Sequence, residues 1–169
     1  MNYKRIFIIC AIAAGAAWGG LRLLFLSPDV FNELSTNLRF FVGNFYYFQI
    51  DSGGILLSLF RHSYLFCAIL FFRFIPRFSW AVYPLLYLRV MTVSFAVSIM
   101  ILTFGASGIL ISLVFNIPQN IFAIGACVYI FYKIDAQSLL KTFCIGAGGI
   151  LCAALYEIFA APFFLTLLI

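Results

Sequence analysis

Length, composition and charge exclude most soluble classes of protein for this chain. It has 169 residues, of which 66% are hydrophobic and 9% are charged, whereas a soluble domain carries about 25% charged residues. The formal net charge is +5, but the ten Lys and Arg residues are scattered between apolar runs, so they form no basic stripe for nucleic acid. We therefore predict an all-α protein of the lipid bilayer, with several transmembrane helices and no nucleic-acid partner.

The first apolar run, roughly residues 6–26, is predicted to be a retained transmembrane helix. A cleaved signal peptide is the alternative interpretation, because a basic start, an apolar core and small residues also suit one. The apolar character continues over a full span, however, and Ala11, Gly15 and Gly19 repeat every fourth residue. Such a repeat of small residues is typical of a face that packs closely against another helix.

Four more spans are predicted, which gives about five crossings in a single membrane domain of residues 1–169. A crossing needs about 20 residues, and the second span is shorter than that. We therefore expect it to borrow turns from the residues before it or to form a tight hairpin with the third span. The segment 27–61 mixes polar and aromatic residues and is expected to lie on the outer interface without folding independently. The four spans are approximately residues 62–76, 80–104, 108–132 and 142–165.

Basic residues outside the spans predict the orientation of the chain. With a cytoplasmic N-terminus, six of them lie inside and three outside, in agreement with the positive-inside bias. An odd number of crossings then places the C-terminus outside the cell membrane. The six inner residues are Lys4, Arg5, Arg73, Arg77, Lys133 and Lys141, and the three outer ones are Arg22, Arg39 and Arg61.

No catalytic, cofactor or metal site is predicted. The five cysteines lie inside predicted spans and no pair has CxxC spacing, so we interpret them as small packing residues and not as a zinc site or a disulfide framework. The single histidine, His62, is interpreted as an interfacial polar residue. The sequence offers no paired carboxylates and no nucleophile flanked by a base and an orienting residue, so we predict that the protein is not an enzyme.

The fourth span is interrupted by polar residues and a proline. Pro118 lacks a backbone donor and crowds the carbonyl four residues earlier, that of Val114, which must find another partner in hydrocarbon. Asn116, Gln119 and Asn120 share one helical face and are the expected partners. We therefore predict a fourth helix that is broken at Pro118.

Two ionisable residues, Arg89 in the third span and Glu157 in the fifth, are predicted to lie at membrane depth. At about 1.5 Å per residue, Arg89 lies roughly 13 Å and Glu157 roughly 22 Å from the same membrane face, with the amides between them. Charge inside a membrane is costly and is a functional hypothesis by default. Because Gly149, Ala153 and Glu157 repeat every fourth residue, the carboxylate is expected to point from a close-packing face into the bundle.

Two accounts of this polar layer are open from sequence. In the first, Arg89 snorkels to the cytoplasmic interface, the amides bind helices together, and Glu157 reaches the outer headgroups or meets Arg22 or Arg39. In the second, the layer lines a partly hydrated cavity through which a solute passes or in which a partner's helix docks. The residue pattern does not separate the two accounts.

The residues of this layer resemble those of a known family. The sequence around Pro118-Gln119-Asn120 is similar to the fourth span of the stage II sporulation protein M family of endospore-forming bacteria. Glu157 followed by Pro162 resembles the end of that family's last span, and Arg89 stands where the family has a basic residue in its third span. Size, five crossings and an outer segment after the first helix are also similar, so the resemblance covers essentially the whole chain.

The resemblance implies a non-catalytic membrane scaffold that acts during engulfment of the forespore. In that family the protein forms a complex with the stage II sporulation proteins D and P, which degrade peptidoglycan outside the membrane, and localises them there. It implies location in the septal or engulfing membrane and a docking surface in residues 27–61. The chain is also compatible with a homo-oligomer. The residues expected to hold the shape of the bundle are Arg89, Pro118, Gln119, Asn120 and Glu157.

A transporter or channel subunit is the alternative from another class of protein. A broken helix with polar residues at half depth is common in such proteins, although the five spans show no inverted repeat. An enzyme acting on lipid ranks third, because the sequence offers no acid and base pair for it.

Overall fold

A computed structural model describes residues 3–44, 52–133 and 139–168 of the chain. These residues form helices throughout, joined by short turns, and they include no strand. The prediction of an all-α fold is confirmed. The α-helices are α1 (Tyr3–Leu21), α2 (Pro28–Asn44), α3 (Ser52–Phe74), α4 (Val82–Phe104), α5 (Ala106–Ile111), α6 (Ile117–Lys133), α7 (Leu139–Leu155) and α8 (Ala161–Leu168).

Short segments of other helical types extend or join these helices. A 3₁₀ segment, Arg22–Phe25, continues α1, and another, Pro76–Ala81, leads into α4. Two π-helical segments lie within longer helical runs. We call them the first π segment (Ser112–Asn116), between α5 and α6, and the second π segment (Tyr156–Ala160), between α7 and α8.

Four helical runs of the described chain are long and apolar enough to cross a membrane. Most of their surface faces outward, and large apolar side chains such as Phe7, Leu102 and Ile121 are exposed on the outside of the bundle. An outer surface of this kind suits lipid, so the protein is a polytopic membrane protein. The runs are Tyr3–Phe25, Phe78–Phe104, Ala106–Tyr132 and Leu140–Phe164.

Helices α1 and α4 pack closely and run in the same direction. A side chain added at Gly15 would meet the Tyr87 carbonyl oxygen at 2.6 Å, and one added at Gly19 would collide with the Met91 carbonyl oxygen one turn further along. Both glycines are buried, as their spacing indicated. At such close range, Ser94 Oγ donates a hydrogen bond of 2.7 Å to the backbone oxygen of Ala16.

The parallel arrangement of α1 and α4 requires the chain to return across the bundle between them, and α3 makes this return. Helix α3 starts at Ser52 and has 23 residues, which is about 34 Å of length. Of the two possibilities for this short span, the structure shows the first, because the helix takes additional turns from the residues before His62. The sequence looks polar there because of Ser58, Arg61 and His62. Their side chains all bind the same carboxylate, which belongs to another helix and is described below.

The remaining long runs alternate in direction. Gly105, at a φ of 62° that suits glycine, makes the turn between α4 and α5. Its amide donates to the Ile101 carbonyl at 2.8 Å and closes the end of α4. Helices α6 and α7 are also antiparallel, and Gly149 of α7 lies against Ala126 of α6, where an added Cβ would come within 2.8 Å of the Ala126 Cβ.

Helix α2 occupies the first part of the segment predicted to lie on the outer interface. Its apolar residue Val42 packs with Met100 of α4 and Ile111 of α5. Arg39 Nη2 donates to the Thr103 carbonyl oxygen at 3.0 Å, near the C-terminus of α4, where a cation is favourable. Helix α2 thus covers one end of the bundle, which we call the α2 end. The aromatic residues 45–48 lie outside the described residues.

A large apolar core fills the half of the bundle away from the α2 end. Side chains of α3, α4 and α6 meet there, and several of them are completely buried. Ala153 of α7 belongs to the same cluster and is 0% exposed. The completely buried core residues include Ile69, Val82, Leu86, Cys127 and Ile130. The polar residues of interest lie between this core and the α2 end.

Candidate functional site

The first π segment accommodates the proline of the broken helix. Pro118 stands in the first turn of α6, two residues after the segment ends at Asn116. The π turn is wider than an α turn, and it leaves the Val114 carbonyl without an amide donor at Pro118. The Tyr156 hydroxyl takes that place and donates to the Val114 oxygen at 2.7 Å. The expectation that the neighbouring amides would bind this carbonyl is therefore wrong.

The three amide side chains are buried, and that of Asn116 reaches α4. Asn120 Nδ2 donates to the backbone oxygen of Asn116 at 2.7 Å and to its Oδ1 at 2.9 Å. Asn116 Nδ2 donates in turn to the Val93 carbonyl oxygen on α4 at 3.4 Å. Gln119 is 5% exposed. The amides thus tie the broken helix to itself and to α4.

The second π segment repeats the relation between a π turn and a proline. It ends at Ala160, and Pro162 follows two residues later in the first turn of α8. Pro162 and the first π segment lie in neighbouring parts of the bundle, because α8 packs against that segment. Both polar groups that reach out of the second π segment, the Tyr156 hydroxyl and the Glu157 carboxylate, bind other helices.

Glu157 receives three donors from α3. Ser58 Oγ donates to Oε2 at 2.5 Å, and Arg61 Nη1 donates to Oε1 at 2.8 Å. His62 Nε2 lies 2.9 Å from Oε2. The Glu157 side chain is 11% exposed while that of Arg61 is 52% exposed, so the carboxylate is held inside the bundle and the guanidinium remains accessible from outside it. A carboxylate with several donors is a favourable way to bury its charge.

From the sequence we expected His62 to be an interfacial residue. In the structure it is one of the most buried polar residues among those described. It is 2% exposed. Its Nδ1 lies 3.5 Å from Nη2 of Arg89, and a guanidinium can only donate. Nδ1 is then the acceptor, which leaves the proton on Nε2, where it is donated to Glu157. His62 therefore joins the two intramembrane charges in one network, which we call the Glu157 network.

Adjacent residues of the second π segment thus bind different helices. Tyr156 reaches the first π segment and Glu157 reaches α3, because successive residues of a helix point in different directions. The chain separation of these bonds is large, 42 residues for Tyr156 to Val114 and 99 for Ser58 to Glu157. One short segment therefore links the broken helix to α3.

Several buried polar atoms next to these bonds have no partner among the described residues. Arg89 Nε is an unpaired donor, and Gln119 Oε1 and Asn120 Oδ1 are unpaired acceptors. Asn116 lies at the level of Val93. Because α6 and α4 are antiparallel, Asn120 lies one turn further along α6, at the level of Arg89. Buried polar atoms without partners are rare and need an explanation.

The structure brings together some of the predicted site residues and separates others. Arg89 and Glu157 meet through His62, but Glu157 is not bonded to either of the arginines that sequence had offered. Arg22 lies above the ring of Phe95, with its Cζ at 5.6 Å, and Arg39 binds the end of α4. Asn116 and Asn120 are bonded to each other, with Asn120 of α6 at the level of Arg89 on α4. Gly15, Gly19 and Gly149 lie at close helix contacts, and Ala153 is completely buried in the apolar core.

Sequence reasoning missed Ser58, His62 and Tyr156 as members of the site. Ser58 and His62 are four residues apart, which would have placed them on one helical face if α3 had been extended to its actual start. Tyr156 was harder to recognise as a member of the site. The only indication in the sequence was its hydroxyl group next to the intramembrane carboxylate of Glu157. Among the described residues, no group of three or more His, Cys, Asp and Glu residues is arranged to hold a metal ion.

Comparison with protein-family models gave no match, and neither the curated proteins nor the solved structures include one that is significantly similar to this chain.

Proposed function

We propose that the chain is a non-catalytic membrane scaffold that recruits and localises peptidoglycan-degrading proteins during engulfment in bacterial sporulation. The observation that favours a scaffold is the Glu157 network. Its intramembrane carboxylate is bonded to three donors of one neighbouring helix, an arrangement that fixes the helices relative to one another. A rigid bundle suits a protein that holds others in place. The sporulation setting rests on the resemblance in the fourth and fifth spans.

In this proposal the partners dock at the α2 end. The positive-inside bias directs the N-terminus of α1 to the cytoplasm, and the α2 end then faces outward. Helix α2 exposes Asp29, Glu33 and Phe40 there, and Arg39 fastens it to the end of α4. Peptidoglycan hydrolases act on this side of the membrane. The partners expected from the resemblance are the stage II sporulation proteins D and P.

Crosslinking and affinity capture test the proposal directly. The tagged chain is captured from cells entering sporulation and from the same cells in vegetative growth, and the recovered proteins are identified by mass spectrometry. We expect enrichment of membrane-anchored or secreted peptidoglycan hydrolases in the sporulating sample only. Recovery of a nucleotide-binding subunit or of another polytopic protein in their place would contradict the scaffold proposal and favour transport.

A matched pair of variants makes the capture experiment more specific. Replacing Glu157 by leucine removes the carboxylate oxygens that bind Ser58, Arg61 and His62, whereas replacing it by glutamine keeps one acceptor oxygen in a side chain of the same shape. We expect Glu157→Leu to weaken recovery of the hydrolases and Glu157→Gln to keep most of it, with both variants inserted in the membrane. Equal recovery with both would show that the network does not shape the docking surface.

A transporter or channel subunit is the second candidate, and the unpaired polar atoms of Arg89, Gln119 and Asn120 favour it, because water could satisfy them. Cysteine labelling in a background without the native cysteines separates the two functions. A cysteine at Gln119 would react with a water-soluble reagent in a conducting cavity, whereas one at the apolar, buried Ala123 would not. Lack of labelling at both positions is the outcome that the scaffold predicts.

A further inference from the structure

The Glu157 network contains a group that can bind a proton inside the bundle. His62 is 2% exposed and is placed between a carboxylate and a guanidinium. With Nε2–H donated to Glu157, the free lone pair of the ring is at Nδ1, which faces Arg89. A histidine in such a position changes charge when it takes up one proton, and it changes a hydrogen-bond acceptor into a donor.

The bond between Arg89 and His62 is the weakest of the network. Its length of 3.5 Å is at the limit for a hydrogen bond, whereas the bonds to Glu157 measure 2.5–2.9 Å. Arg89 Nε has no partner at all among the described residues. The Arg89 guanidinium therefore forms only a weak hydrogen bond to His62, although its charge must be stabilised inside a membrane bundle.

Better acceptors for Arg89 lie on α6. Gln119 Oε1 and Asn120 Oδ1 are buried and unpaired, and the contact of Asn116 with Val93 places Asn120 at the level of Arg89 on the facing helix. An amide oxygen is a good acceptor for a guanidinium. The same neighbourhood thus holds a loosely bound donor and two free acceptors.

The charges around His62 decide what a proton would do. The second π segment contributes Glu157, α3 contributes Arg61, and α4 contributes Arg89. On α6 the buried thiol of Cys127 lies near Arg89, and Cys144 and Cys152 of α7 are exposed. A proton on His62 is attracted by Glu157 and repelled by Arg89, and Arg61 is too exposed to act strongly.

We propose that His62 is an intramembrane proton-binding site and that its protonation transfers Arg89 from His62 to the amide oxygens of Gln119 and Asn120. A proton from solution forms an N–H bond at Nδ1, and the hydrogen bond from Arg89 Nη2 to Nδ1 breaks. The Nε2–H bond to Glu157 persists and becomes a bond between opposite charges. The released guanidinium binds the unpaired amide oxygens, so α4 exchanges a tie to α3 for a tie to α6. This inference does not depend on the scaffold proposal.

Because the chain has one histidine, ¹⁵N-histidine labelling reports on His62 alone. We would record ¹⁵N spectra of the full chain in lipid bilayers over a range of pH. We expect the neutral ring with its proton on Nε2 at high pH and imidazolium as the pH falls. A neutral ring with its proton on Nδ1, or the absence of imidazolium down to the pH at which the protein unfolds, would overturn the proposal.

Variants then test the transfer of Arg89. At a fixed pH where wild type is half protonated, we expect Glu157→Gln to lower the ratio of imidazolium to neutral ring about tenfold or more. We expect Arg89→Gln to raise it, because the repulsion is removed, and Gln119→Leu to lower it, because the receiving acceptor is lost. Ser112→Ala is the matched control, since Ser112 is equally buried but donates to Met100 Sδ.

An unchanged ratio in Gln119→Leu would refute the transfer of Arg89 to the amides. Loss of the Nε2–H signal at high pH identifies a variant that has lost its fold. In that case the transfer of Arg89 is tested in the wild-type protein, through its arginine signals. Titration of ¹⁵N-arginine-labelled wild type must show one Nε–H resonance that shifts together with His62. Its absence would likewise refute the transfer.

Discussion

Two helix contacts of the bundle are built on opposite chemistry. The contact of α1 with α4 depends on small residues, with Gly15 and Gly19 against the α4 backbone, and it includes a side-chain hydrogen bond from Ser94. The contact of α3 with the second π segment depends on Glu157 and its three donors. In lipid the first is stabilised by close packing and the second by burial of a satisfied charge.

The difference has a consequence for how each contact fails. A contact of small residues fails when a side chain is too large, whereas a polar contact fails when one partner is removed and the others remain buried. The following predictions use this difference to test the comparison. All of them concern the free energy of unfolding in bicelles or mild detergent.

The largest loss is expected for Glu157→Leu, about 3–5 kcal/mol, because buried donors of α3 are left without their acceptor. Unfolding by steric trapping or by a denaturing detergent measures it. Glu157→Gln keeps the shape and an acceptor oxygen, so we expect it to lose less than half as much. If the two variants lost the same amount, the bonds of Glu157 would not be what stabilises this contact.

Gly19→Ile is expected to lose about 1–3 kcal/mol, because the added side chain must separate α1 from α4. The neighbouring Gly20 supplies the control. A Cβ added at Gly20 would lie 3.7 Å from Ser98 Oγ of α4, an ordinary van der Waals distance. We expect Gly20→Ile to change stability little. Similar losses at both positions would show that the α1 surface, and not the close contact, determines the effect.

Tyr156→Phe is expected to lose about 1 kcal/mol, the contribution of one buried hydrogen bond. In the Pro118→Ala background the loss should be smaller, because residue 118 regains an amide that can serve the Val114 carbonyl. A double-mutant cycle in the same unfolding assay gives the coupling between the two positions. Additive effects would mean that the tyrosine does not replace the donor that proline lacks.

Arg61→Gln is expected to have the smallest effect, below about 1 kcal/mol, because exposed ion pairs contribute little. Arg61 is 52% exposed although it donates to the same carboxylate as the buried His62. A loss as large as that of Glu157→Leu would show that Arg61, and not the buried donors, stabilises the contact.

The two contacts also differ in how far sequence could predict them. Gly15 and Gly19 repeat with the period of a helix, so their close-packing role could be predicted from spacing alone. The shared face of Asn116, Gln119 and Asn120 followed from the same period. The partner of Glu157 could not be predicted, because Ser58 is 99 residues away and a single sequence contains no information on which helix faces which.

The start of α3 was left open by the sequence and the partner of Val114 was wrong, for related reasons. Ser58, Arg61 and His62 look like the edge of a span when judged by hydropathy, although inside the bundle they bind Glu157. The Val114 carbonyl was assigned to nearby amides because local geometry is all that sequence shows. Its actual donor, Tyr156, comes from another helix, and both π segments depend on such tertiary bonds.

The coupling energy between His62 and Glu157 is the most direct test of the claim that the Glu157 network ties α3 to the second π segment. It is measured as a double-mutant cycle with His62→Leu and Glu157→Leu, using the free energy of unfolding in bicelles. The network predicts a favourable coupling of about 1–3 kcal/mol. Additivity of the two changes, within about 0.3 kcal/mol, would contradict the claim that the network ties the two elements together. It would mean that Glu157 neither holds the bundle together nor shapes its α2 end.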